Sequence, residues 1–317
     1  NGLSGVMIAH LSIPALDNTP HLPSTLSKPI VTDLLKTKLG FEGLIYSDAM
    51  NMKGLTKHFS DGRGDAMDIL EFTEDVNKSI AEIKKSIATG RITQADIDAR
   101  CRKVLEAKAW AGLNQYKPIE LNNLYEDLNT KDAELVNRLL TEKALTVLKN
   151  DLNTLPIQNL ETQKIASLSI GVDSVSIFQK TLGLYTSIDH FTIPLNTTTD
   201  QITALVKQLE KYSLVLTGVH LPSISPRNNY GLTESMNTVL KEVAASKKAV
   251  VAIFGNPYAF NKMTDLSATK GLIMAYQLTP YTQELSAQLI FGAIPALGKL
   301  PVTVNQNYLY NAGLDIP

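Results

Sequence analysis

Cysteine, long apolar runs and excess charge are all scarce in this sequence, and each scarcity excludes a class of protein. Cys101 is the single cysteine, so neither a disulfide framework nor a multi-cysteine zinc or iron–sulfur site can form within the chain. No apolar run reaches the length of about 18 residues that a membrane span requires. The 30 Lys and Arg residues nearly balance the 31 Asp and Glu residues, which leaves no broad positive field to bind nucleic acid or acidic lipid.

Metal-binding and phosphate-binding signatures are also missing, and we therefore expect neither a metal nor a cofactor. None of the histidines has another histidine four residues away, and no Asp, Glu or Cys cluster adds ligand spacing. The glycines of Gly62-Arg-Gly64 lack the third glycine and the lysine of phosphate-binding loops, so we interpret them as turn residues. The five histidines are His10, His21, His58, His190 and His220.

The first part of the chain has the pattern of a parallel sheet or barrel. Residues 5–10 and 43–48 are short apolar runs typical of buried parallel strands, with a proline-rich loop and a predicted helix at 30–39 between them. Two further helices are predicted at 76–87 and from 94 to about 111, the second with Thr93 as its N-cap. Cys101 lies on the apolar stripe of that helix, and we expect it to be a core residue.

The second part alternates strands and helices regularly. Such an alternation predicts a doubly wound, mainly parallel α/β sandwich. A polar, irregular stretch at 114–129 is interpreted as a linker, followed by a helix at 131–145. We predict three segments, at 1–115, 116–145 and 146–317. The predicted strands of the last segment are 146–149, 165–170, 191–195, 214–219, 249–254 and 272–276.

Asp48 is the strongest candidate for chemistry. It follows a buried strand, at the end where barrel and open-sheet enzymes hold their ligands, and a carboxylate is costly to place there without a purpose. As a catalytic group it would be a nucleophile or a base. The structural alternative is an aspartate that caps a helix or orders a loop. His10 ends the other apolar strand, and geometry alone favours a functional role and a structural role equally.

The segment around Asp48 resembles the nucleophile segment of glycoside hydrolase family 3, in its β-N-acetylglucosaminidase branch. The similar residues run Gly40-Phe-Glu-Gly-Leu-Ile-Tyr-Ser-Asp48-Ala-Met-Asn-Met52. Residues 6–10 resemble the sixth strand of the family's barrel, and 68–76 the eighth strand and its exit. Residues 148–150, 254–258, 290–292 and 298–302 resemble its α/β-sandwich domain. The implied fold is the C-terminal part of a (β/α)₈ barrel, followed by that sandwich.

The resemblance implies an enzyme that removes terminal β-linked N-acetylglucosamine with retention of configuration. Asp48 would form a covalent glycosyl-enzyme intermediate. The implied substrates are small carbohydrates, muropeptides first and chitooligosaccharides second, which fits a bacterial peptidoglycan-recycling role. The family's β-glucosidase branch usually has Trp after the Ser-Asp pair, whereas this chain has Ala49-Met50, which favours the hexosaminidase branch.

The resemblance assigns the general acid/base to a histidine, assisted by an aspartate, on a glycine-rich loop that would precede Asn1. His10 does not match that loop, and we carry it over as a substrate-pocket residue. Met52 either lines the pocket or packs beneath the loop. The segment between Asp48 and Asp68 is several residues shorter than the family's pattern.

Two other functions stay open on the sequence: a non-catalytic remnant that binds sugar or a protein partner, and a family 3 β-glucosidase. The oligomeric state is not predicted. Periplasmic or secreted location is favoured over cytoplasmic.

Overall fold

The chain divides into two compact units, Asn1–Leu121 and Asn122–Pro317. The computed structural model describes residues 2–52, 55 and 67–317, so His58 and the glycine turn at 62–64 lie outside the described residues. Within the described ranges, no helix has both the length and the apolar character needed to cross a membrane.

The first unit begins with two parallel strands. β1 (Gly5–Ile8) pairs with β2 (Leu44–Ser47), and a parallel bridge between Tyr46 and Ile69 adds a third segment. The predicted β-loop-α-β order is confirmed. The third strand, which the resemblance placed from residue 68, is represented in the described residues by this single bridge.

Helix α1 (Pro29–Lys38) connects the two strands. Its turns are wider than those of an α-helix, since the amide of Leu39 donates to the carbonyl of Leu34, five residues earlier, at 2.9 Å. The helix is followed by Gly40, whose φ of +64° is a conformation that glycine adopts without strain. Ile8, Val31, Ile45 and Met67 form a buried apolar cluster in this unit.

Two longer helices complete the first unit, α2 (Val76–Ala88) and α3 (Gln94–Trp110). The predicted cap of α3 is confirmed, because Thr93 and Asp96 form a reciprocal capping box. The expectation for Cys101 is wrong: its side chain is exposed. No residue of α3 is buried within the described structure, so its apolar stripe lines an open groove instead of a closed core.

The second unit opens with α4 (Leu124–Leu128) and α5 (Lys131–Ala144). The prediction of an irregular linker at 114–129 is thus wrong in its last part. Glu126 and Asp127 occupy the first turn of α4, where negative charge is favourable to the helix dipole. The helix predicted at 131–145 is confirmed.

A six-stranded sheet forms the centre of the second unit, in the order β3-β8-β7-β6-β4-β5. All neighbours are parallel except the antiparallel pair β3–β8, which confirms the doubly wound, mainly parallel sandwich. β5 begins two residues earlier than predicted, since Asp189 and His190 pair with β4 at the sheet edge, where polar residues are tolerated. The strands are β3 (Thr146–Asn150), β4 (Ile165–Ile170), β5 (Asp189–Ile193), β6 (Leu214–His220), β7 (Ala249–Phe254) and β8 (Gly271–Met274).

Helices cover both faces of this sheet. α7 (Thr199–Leu209) and α8 (Glu234–Ala245) pack on one face, and α6 (Ile177–Leu182) and α9 (Pro280–Ile290) on the other. Strands buried on both sides are apolar at successive positions, which is why β7 appears in the sequence as a continuous apolar run and β6 as a mainly apolar one.

The last residues of the chain pair with the first strand of this sheet. Isolated antiparallel bridges join Val147 to Leu314 and Ala296 to Ile316. Gly298 lies at the same place and donates its amide to the carbonyl of Leu145 at 3.3 Å. A Cβ atom at Gly298 would overlap the backbone oxygens of Ala144 and Leu145. This close approach gives a physical reason for the glycine that opens the motif at 298–302.

Candidate active site

The carboxyl ends of β1 and β2 bring the predicted site residues together. Ile8 lies opposite Ser47, and the amide of Asp48 donates to the carbonyl of Ile8 at 3.1 Å, which extends the pairing by one residue. His10 and Asp48 therefore leave their strands side by side, at the end where parallel sheets hold ligands.

Asp48 is half-buried and has one carboxylate oxygen held by the backbone. Its Oδ1 accepts a hydrogen bond from the amide of Ala49 at 2.7 Å. Its Oδ2 accepts no hydrogen bond from the residues that the structure describes. One oxygen thus fixes the orientation of the carboxylate, and the other has no hydrogen-bond donor among the described residues.

The backbone of Glu71 supports both ends of the Asp48 segment. Its amide donates to the buried hydroxyl of Ser47 at 2.9 Å, and its carbonyl accepts from the amide of Met50, also at 2.9 Å. The side chain of Met50 is only 2% exposed. These bonds hold the turn that carries Asp48 against the neighbouring segment of the sheet.

His10 contacts the same turn from the β1 side. Its Nε2 lies 3.1 Å from the carbonyl oxygen of Ala49, and its Nδ1 lies 2.7 Å from the hydroxyl of Thr25. Both ring nitrogens therefore have partners within the protein. The predicted contact of His10 with substrate stays a prediction.

Met52 differs from Met50 in its exposure. The Met52 side chain is 45% exposed, so the alternative that it packs in the core beneath the loop is wrong. Its amide donates to the carbonyl of Ala49 at 3.1 Å, which places it at the end of the same turn. A role for Met52 in lining a pocket stays a prediction.

The loop after β1 folds back and places Thr25 beneath His10. Thr25 is fully buried, and its Oγ1 lies 3.1 Å from the carbonyl oxygen of Ala9. Asp17 braces the loop, because Oδ2 accepts from the hydroxyl of Ser27 at 2.5 Å and Oδ1 from the amide of Thr19 at 3.1 Å. These bonds, that of Ser27 first, lower the pKa of Asp17.

We expect the brace at Asp17 to give a pH-dependent contribution to stability. Because the pKa is lower in the folded protein, the contribution is complete above the unfolded value of about 3.9 and is lost as the pH falls through the folded value. Asp17→Asn should thus lower the thermal midpoint at pH 7, and the difference from the wild type should shrink progressively as the pH falls below about 3.9. A difference that stays constant as the pH falls would contradict this.

The histidines of the second unit have partners within the protein. His220 is buried, with Nδ1 3.3 Å from the carbonyl of Ile170 and Nε2 3.3 Å from Oε1 of Gln283. Burial lowers the pKa of His220. His190 has Nδ1 2.6 Å from the hydroxyl of Ser167.

Sequence reasoning missed Thr25 and Glu71. Thr25 contacts His10 through its hydroxyl, and Glu71 contacts the Asp48 turn through its backbone. Neither residue type marks such a role in a sequence. Across the described ranges, no group of three or more His, Cys, Asp and Glu residues is arranged to hold a metal ion.

Comparison with known protein families shows which family the chain belongs to. Residues 1–107 match the glycosyl hydrolase family 3 N-terminal domain, and residues 145–313 match the family's C-terminal domain. The chain belongs to glycosyl hydrolase family 3. The first unit is accordingly the C-terminal part of a TIM barrel, and the second is the family's α/β-sandwich domain.

Several known proteins are similar over nearly the whole chain. A β-N-acetylglucosaminidase/β-glucosidase of Cellulomonas fimi is 23% identical over 95% of the chain and 58% of its own length. The structure of a β-N-acetylglucosaminidase from Paenibacillus sp. str. FPU-7 has a TM-score of 0.70 at 21% identity, over 96% of this chain and 59% of that one. A β-glucoside phosphorylase structure has a TM-score of 0.75 at 19% identity, over 98% and 59%. The chain thus spans a little over half the length of these relatives.

Proposed function

We propose that the full-length protein is a retaining glycosidase that removes terminal β-linked N-acetylglucosamine, with Asp48 as its nucleophile. The observation that carries the proposal is the hydrogen bonding of the two oxygens of the Asp48 carboxylate. One oxygen is held by the amide of Ala49, and the described residues leave the other without a hydrogen-bond donor. A nucleophilic carboxylate needs this combination of fixed orientation and an accessible oxygen.

The reaction proceeds in two displacements at the anomeric carbon. Oδ2 of Asp48 attacks that carbon while the bond to the leaving oxygen breaks, and a general acid protonates the leaving oxygen. Water then attacks the same carbon, gives up a proton to the same group acting as base, and releases Asp48. We assign the acid/base role to a histidine outside residues 1–317, as the family resemblance implies.

The preference for N-acetylglucosamine rests on the residues after the nucleophile. After the Ser47-Asp48 pair this chain has Ala49-Met50, where the β-glucosidase branch usually has Trp. The name of the Cellulomonas fimi relative includes both activities, which favours a β-glucosidase as the second candidate. Muropeptides are the proposed natural substrates, ahead of chitooligosaccharides.

Hydrolysis of aryl glycosides by the full-length protein tests this proposal. We expect kcat/KM for the aryl N-acetyl-β-glucosaminide to exceed that for the aryl β-glucoside by at least about tenfold, with the β-anomer of the sugar formed first by NMR. A reversed preference would establish the β-glucosidase alternative. The α-anomer as first product would exclude a covalent intermediate, and no hydrolysis of either compound would favour the non-catalytic remnant.

A further inference from the structure

We propose that His10 is a positioning residue that fixes the carbonyl of Ala49, the residue after Asp48, and that Thr25 in turn fixes His10. The proposal rests on the proposed function, since it concerns the geometry of the nucleophile. It differs from the sequence-based expectation for His10, which was a contact with the sugar.

The carbonyl oxygen of Ala49 has two hydrogen-bond partners. This oxygen lies 3.1 Å from Nε2 of His10 and also accepts the amide of Met52 at 3.1 Å. The amide nitrogen of the same residue donates to Oδ1 of Asp48 at 2.7 Å. The carbonyl and the amide of Ala49 belong to successive peptide groups joined at its Cα, so a displacement of residue 49 would also move the donor that orients the Asp48 carboxylate.

The chemistry of the partners determines which nitrogen of His10 carries hydrogen. A carbonyl oxygen can only accept, so Nε2 must carry the hydrogen that it donates to Ala49. In the neutral ring Nδ1 is then an acceptor. The Thr25 hydroxyl has one hydrogen, and Nδ1 at 2.7 Å is a nearer acceptor than the carbonyls of Ala9 at 3.1 Å and Ile8 at 3.3 Å, so we assign that hydrogen to the bond with His10. Thr25 is fully buried, which prevents water from replacing this bond.

Two replacements of His10 separate positioning from substrate contact. The amide nitrogen of Gln matches the reach of Nε2 and can still donate to Ala49, whereas that of Asn matches Nδ1 and falls short of it. We expect His10→Asn to lower kcat about 100-fold with KM changed less than about threefold, because a misplaced nucleophile slows chemistry without weakening binding. His10→Gln should stay within about fivefold of the wild-type kcat.

Thr25 provides a second test that leaves the imidazole in place. Thr25→Val removes the hydroxyl at nearly equal volume and should lower kcat about tenfold, the effect of one lost hydrogen bond. Thr25→Ser keeps the hydroxyl and should resemble the wild type. This pair decides the question if a His10 variant does not fold, which circular dichroism would reveal.

The outcomes distinguish the proposals. A wild-type protein that neither hydrolyses aryl glycosides nor becomes covalently labelled by a 5-fluoro glycosyl fluoride would overturn the proposed function and this inference with it. An active wild type with equal kcat values in each variant pair would overturn the positioning role alone. A rise in KM in both His10 variants, with kcat unchanged, would instead assign His10 to the sugar.

Discussion

Replacing Asp48 with asparagine is expected to lower kcat for an aryl N-acetyl-β-glucosaminide by about 10⁴-fold in the full-length protein. Asparagine has nearly the same shape, but its amide is too weak a nucleophile to form the glycosyl-enzyme. The amide of Ala49 can still donate to the asparagine Oδ1, so the turn should keep its conformation. Steady-state kinetics with the wild type and the variant measure this effect.

A matched control and a covalent label make this experiment specific. Asp33→Asn makes the same chemical change at an exposed position on α1 and should leave kcat within about twofold. A 5-fluoro glycosyl fluoride should label the wild-type protein on the peptide that contains Asp48, as mass spectrometry would detect, and should not label Asp48→Asn. Labelling of another residue, or equal activity of both variants, would be evidence against Asp48 as the nucleophile.

Gly298→Ala should lower the free energy of unfolding by about 3 kcal/mol, at the upper end of typical overpacking costs. The added methyl group would overlap the carbonyl oxygens of Ala144 and Leu145, and backbone atoms cannot move aside as a flexible side chain can. For a domain of 150–250 residues this corresponds to a fall in the thermal midpoint of about 6–12 °C. Calorimetry of the full-length protein measures the fall, and hydrogen exchange of the β3 amides locates it.

Gly183→Ala is the control for this substitution. Gly183 has ordinary right-handed backbone angles, and a Cβ there would lie 3.4 Å from Nε2 of His190, a distance the side chain can accommodate with little movement. Its midpoint should therefore equal or slightly exceed that of the wild type. Equal thermal midpoints for the two alanine variants would show that the backbone around Gly298 adjusts to the added methyl group without destabilising the fold.

Sequence patterns predicted most of the fold because the elements concerned are locally encoded. β7 is a continuous apolar run, β6 is mainly apolar, and the cap of α3 needs only Thr93 and Asp96 at the right spacing. The predictions are wrong where the structure depends on contacts between residues that are distant in the sequence. Cys101 has the periodicity of a core residue, yet the groove beside it is open, and no local pattern encodes whether an apolar stripe is covered.

The position of the candidate site could be predicted from the sequence, but the residues that hold its side chains in place could not. Asp48 and His10 could be found because they end apolar strands, and parallel strands end at the same edge of a sheet. Thr25 lies 15 residues from His10 in a loop whose path depends on the bonds of Asp17. The contacts of Glu71 involve its backbone, which every residue type shares, so nothing in its side chain could indicate them.

The bridge between Val147 and Leu314 brings the last residues of the chain close to the first strand of the sandwich domain. The chain enters this sheet and returns to it at neighbouring points, so a short peptide could join residue 317 to residue 145. Circular permutation with new ends in an exposed loop, such as the one at 222–225, should therefore preserve the sheet order. The same proximity allows such a domain to be inserted into a surface loop of a host protein without separating the host's two ends.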